Sequence, residues 1–220
     1  MLYLFIIFQS FFSAFVTENQ PQFKGGQAAL DNFLSQNLIY PDYSKQNCIS
    51  GTVQVSFSID QNNKPVNVKV QQGFGIDLDD EAVRLVKMTA GKWILPPDHD
   101  LSTTLVLPVN FNLNDTRCNI RNRNDMELAI NAYKQREALV DAVTNYYKNK
   151  NLGKADASKE AEIVTLKKQL GLDDDYADEV VDQANKKLKQ GDQEGACEDW
   201  NFVRNIGSNK ADALLAKYCK

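Results

Sequence analysis

Residues 103–113 read TTLVLPVNFNL, and the fold turns on this stretch. Leu105, Leu107, Val109, Phe111 and Leu113 make an unbroken apolar row at period two, the pattern of a strand with one buried face. Pro108 stands in the middle, with no backbone N–H to give to a neighbouring strand. Proline in a patterned strand belongs at a sheet edge, with the missing donor turned away from the neighbour.

Upstream lie the strands that such an edge needs. GTVQVSFSID (51–60) puts Val53, Val55, Phe57 and Ile59 on one face, and PVNVKVQQ (65–72) repeats the alternation with Val66, Val68 and Val70. The Asn-rich turn between them makes a hairpin. Ahead of it, QAALDNFLSQNL carries Ala29, Leu30, Phe33, Leu34 and Leu38 at helical spacing, and Tyr40-Pro41 ends that helix. After it, LDDEAVRLVKMTA places Leu78, Ala82, Leu85 and Val86 on one face, with Asp77 positioned to cap the start and Trp93 and Pro96-Pro97 to close it. The order helix, strand, strand, helix, strand describes an α+β unit: a small three-stranded antiparallel sheet with two helices.

Near residue 119 the texture changes to helix formers broken at 149–153, Gly171-Leu172-Asp173, Gly191-Asp192 and Gly207-Ser208. Gly behind one helix and Asp or Ser before the next is stop-and-start chemistry, so an all-α tail of four or five helices is expected. The first 16 residues, MLYLFIIFQSFFSAFV, hold no charge. As a helix they reach roughly 24 Å, short of a ~30 Å hydrocarbon core. A signal peptide cleaved near Ala14 to Thr17 is the first reading, and a short inner-membrane anchor the alternative. The expected division is therefore 1–16, a sheet unit over 17–118, and a helical tail over 119–220.

Composition removes several function classes. The 220 residues carry a net charge of −4, so the basic field that nucleic-acid binding uses is missing. The four cysteines, Cys48, Cys118, Cys197 and Cys219, form no C-x-x-C pair, and the lone His99 reads as a solvated loop residue, so no metal site is expected. Asp77, Asp79, Asp80 and Glu81 lack the spacing of a calcium loop and read as a helix start, as do Asp173, Asp174 and Asp175. Gly73-Phe74-Gly75 lacks the third glycine of a nucleotide fingerprint. With no nucleophile elbow and no base placed for a Ser or Cys, no catalytic residue and no cofactor are expected, and the chain reads as a non-enzyme.

Taken in order, FKGGQAALDNFLSQNLIYP, CISGTVQVSFSID, VNVKVQQGFGIDLDDEAVRLVKM, W-x-x-P and LVLPVNF resemble the TonB C-terminal domain over roughly Pro21 to Leu113. The tail stretch GDQEGACEDWNFVRNIGSNKADALLAKYC resembles one tetratricopeptide-like unit, with Gly195 and Ala196 at a close helix contact and Trp200 in its core.

The resemblance implies a periplasmic protein in energy-coupled transport. It would bind a Ton-box-like segment of an outer-membrane transporter by adding it as a strand to the sheet. It also implies that the 51–60 strand is central and the 105–111 strand an outer neighbour. If Pro108 then faces the open edge, so do Thr104, Val106, Asn110 and Asn112, the expected partner-binding residues. Asn37 is a lesser candidate, by its position just before Tyr40-Pro41. In this topology Cys48 and Cys118 meet at the strand ends, leaving Cys197 for Cys219; four free thiols are the alternative in a reducing compartment. The family also carries a membrane helix and a long Pro-rich linker, whereas the six prolines here form no tract. A detached module, or one whose partner supplies the motor contact, is expected. The second expectation is a cell-envelope scaffold that holds other envelope proteins without energy coupling, with inner-membrane association through residues 1–16 possible in either case.

Overall fold

A computed structural model describes residues 20–113, 118 and 123–219. The expected signal peptide or anchor at 1–16 lies outside the described residues. In chain order the elements are β1 (Gln22–Phe23), α1 (Gly26–Asn37), α2 (Asp42–Gln46), β2 (Gly51–Ile59), β3 (Pro65–Gln72), α3 (Asp77–Lys87), β4 (Trp93–Ile94) and β5 (Leu105–Phe111). There follow α4 (Arg123–Asn151), a 3-10 turn (Ala157–Lys159), α5 (Glu160–Gln169), α6 (Asp174–Lys189), α7 (Gln193–Asn205) and α8 (Asp212–Tyr218). The architecture is α+β with an all-helical tail.

The main sheet has the order β3-β2-β5, antiparallel throughout. Alternation puts Val53, Val55, Phe57 and Ile59 of β2 beside Leu107, Val109 and Phe111 of β5 in one core, closed by Leu30 and Leu34 of α1 and Leu78, Ala82, Leu85 and Val86 of α3. The β2–β3 turn is held by the Asp60 carboxylate, which accepts from the N–H groups of Asn62 (2.9 Å) and Lys64 (2.8 Å) while Asn63 takes a left-handed φ of 62°. Two further elements are too short to leave a periodic trace: the β1–β4 ladder pairs Phe23 with Trp93, and α2 follows directly on Pro41.

Two expectations are corrected. Asp77 does not cap α3; the N-cap is Ile76, and the Asp77 carboxylate instead accepts from the hydroxyl and N–H of Ser44 in α2. Its neighbour Asp79 fastens the strand-to-helix turn by accepting from Phe74 N–H (2.9 Å) and Gly75 N–H (2.7 Å). His99 is not a solvated loop residue: it is half-buried, with Nε2 3.4 Å from the Ile59 carbonyl and Nδ1 enclosed.

In the tail, Asp173 caps α6 through Tyr176 N–H and Asp192 caps α7 through Gly195 N–H. Trp200, Leu172, Ile206 and Val143 are fully buried in a second core. Helix α4 reaches both cores: Ala129, with Met126, Ile130 and Tyr133 around it, joins the first, and Val140, Val143 and Tyr146 join the second. Its first half is tied down by Tyr43, whose hydroxyl donates to the Ala129 carbonyl (2.7 Å) and whose ring meets Tyr133 edge-on at 4.9 Å.

Candidate functional site

β5 pairs with β2 from Gly51↔Phe111 to Phe57↔Leu105 without a register shift, passing through Gln54↔Pro108. In an antiparallel pair, opposed residues alternate between exchanging both hydrogen bonds and exchanging none. A ladder that runs unbroken across a proline therefore has Pro108 at a non-bonding position. The bonded partners of β2 are then Leu105, Leu107, Val109 and Phe111. The N–H and C=O groups of Thr104, Val106, Asn110 and Asn112, and the C=O of Pro108, point away from β2. Thr52 and Asn110 fit this phase: opposite each other in the register, they are joined through their side chains, Oγ1 to Oδ1, at 2.7 Å.

The same five residues have exposed side chains, Val106 at 48%. Among the described residues β5 pairs with β2 alone. The opposite edge, β3, is less regular: it opens on Pro65, Asn67 takes a φ of 54°, and its register against β2 shifts between Ser56 and Ser58. A bulged edge presents its groups out of phase, so β5 is the straighter of the two free edges.

Beneath the far end of β5, Phe111 packs edge-on against Tyr40 at 5.7 Å, and the Tyr40 hydroxyl donates to the Ile49 carbonyl at 2.6 Å. Burial, with the Asp77 charge adding to it, pushes the Tyr40 phenol up to about 12. Cys48 and Cys118 are bridged here, Cα atoms 5.2 Å apart, and Cys197 is bridged to Cys219 at 5.7 Å. Asn37 is not brought to this edge. Its amide donates to the Phe33 carbonyl and its own carbonyl accepts from Arg84, on the helical side of the sheet.

The sequence does not expose a second feature, a cleft of about 930 Å³ between α3 and the α6–α7 turn. Arg84 crosses it, bonded to Glu81 on its own helix and to Asp192 at the start of α7. Glu81 and Arg84 alone look like an ordinary helix-surface pair, and Asp192 lies too far along the chain to be matched with them. Among the described residues no three His, Cys, Asp or Glu side chains are grouped to hold a metal, and no helix is long and apolar enough to cross a membrane.

Residues 36–113, about a third of the chain, match the model of the family described as Gram-negative bacterial TonB protein C-terminal. No curated protein and no solved structure matches the chain. The matched span begins at the end of α1, although β1 and the rest of α1 share the same core. Sheet order, helix positions and family match agree over residues 36–113, which are similar to the TonB C-terminal domain.

Proposed function

We propose that this protein is a periplasmic TonB-like adaptor that captures a Ton-box-like segment of an outer-membrane transporter by strand addition on β5, in energy-coupled transport. Domains of this family are non-enzymatic and serve transport at the cell envelope, and they engage outer-membrane proteins. The observation that carries the reading is the free β5 edge, with Thr104, Val106, Asn110 and Asn112 turned outward around Pro108. Two disulfides fit an oxidising compartment. In this reading residues 17–118 are the capturing unit. Residues 119–220 form a tetratricopeptide-like tail, held to that unit by α4 and by Arg84.

The test is photocrosslinking in the native host, with the probe at Val106 and a control at Lys69 on β3. An adduct at Val106 that contains an outer-membrane transporter, absent at Lys69, is the expected result. Adducts with other envelope proteins would instead favour a scaffold without energy coupling. The absence of any adduct at Val106 would sink capture on this edge.

A further inference from the structure

Pro108 interrupts the free edge as well as tolerating it. An outward N–H at this position would receive a carbonyl of an added strand; proline puts its ring Cδ there instead. A carbonyl held at ordinary hydrogen-bond distance from the nitrogen would collide with that ring. No added strand can therefore run in regular register along the whole edge. It must stop at Pro108 or bulge around it, and the edge is divided into two parts.

The parts are unequal. Before Pro108 stand the N–H and C=O of Thr104 and Val106 together with the Pro108 carbonyl, and Val106 is an exposed apolar side chain opposite Ser56. Of the four flanking residues only Val106 and Asn110 lie within β5, one on each side of Pro108. The Asn110 side chain is already engaged by Thr52, whereas that of Val106 is exposed. Resting on the capture reading above, we infer that Pro108 sets the length and register of the captured segment. The segment is an extended run of about five residues that pairs with Thr104 to Pro108. It carries an apolar or β-branched side chain opposite Val106, where cross-strand packing rewards it.

The test uses the full disulfide-bonded chain and a random dodecapeptide library displayed on phage. Selected peptides are synthesised, and amide exchange at Thr104, Val106, Asn110 and Asn112 is followed by NMR. Slowed exchange at Thr104 and Val106, with Asn110 and Asn112 unchanged, is the expected result. Trimming the peptide to the paired run should leave its affinity within about threefold, less than one net hydrogen bond. Pro108→Ala restores the donor. It should extend protection to Asn110 and tighten the untrimmed peptide by about three- to tenfold without affecting the trimmed one. Val106→Asp should weaken both while leaving the fold intact, because the site is exposed. Equal protection of Val106 and Asn110 in the wild-type chain would overturn the divided edge and leave strand capture standing. A library that yields no peptide protecting any of the four amides would overturn capture itself, and this inference with it.

Discussion

At Arg84 every donor has an acceptor. Nε and Nη2 reach the two Glu81 oxygens at 2.7 Å, Nη2 also reaches the Asn37 carbonyl at 2.7 Å, and Nη1 reaches Asp192 at 3.0 Å and Gln190 at 3.2 Å. The side chains of Arg84, Glu81 and Asp192 are each less than a tenth exposed. Buried charge is costly unless compensated, so removing the cation strands two carboxylates. Arg84→Met should destabilise the protein by about 3–5 kcal/mol in urea denaturation, and adding Glu81→Gln and Asp192→Asn should recover most of that loss. Asn still caps α7 in the triple variant. A single variant as stable as wild type would mean that the pairing contributes nothing. Little of this was legible in the sequence. An i, i+3 pair on an amphipathic helix reads as solvated, and only the seating of α7 over it removes the water.

At the scale of elements, α3 shows where periodicity is enough and where it is not. Leu78, Ala82, Leu85 and Val86 were readable as one face because spacing alone places them. The role of Asp77 was not, because its partner, Ser44, lies on α2, a five-residue helix that leaves no pattern. Burial is the main cause that raises the Asp77 carboxyl, outweighing the Ser44 bonds; burial likewise raises Glu81 above its ordinary range against the pull of Arg84. A folded-state value above the unfolded one means that the folded protein holds more protons across the interval between them. The stabilisation from these two groups is complete below the ordinary carboxylate range and is lost as pH rises through their folded values. Asp77→Asn removes one ionisation. The drop in urea midpoint between about pH 4.5 and 7 should therefore be smaller in this variant than in wild type. Equal drops in the two proteins would show that Asp77 titrates normally.

Across the whole molecule, α4 joins what the residue texture separates. Its first half completes the core around Trp93 and its second half the core around Trp200, so melting either core frays the helix that the other needs. The two tryptophans of the chain fall one to each core, which makes them separate reporters. Trp93→Phe and Trp200→Phe, each observed by the remaining tryptophan, should give coincident urea transitions once each variant's own stability loss is taken from its circular dichroism. A fluorescence midpoint displaced from the circular-dichroism midpoint of the same variant would show two units unfolding independently. By itself the sequence determined the three strands, the two flanking helices, the helical tail and the edge position of Pro108. These follow from period-two and period-3.6 burial and from a missing N–H, properties carried by neighbouring residues. Tertiary structure alone decided the burial of Glu81 and Arg84 against Asp192, the redirection of Asp77 to Ser44, the enclosure of His99 and the sharing of α4. Each of these depends on which distant surface excludes water from a group, and no local pattern encodes that.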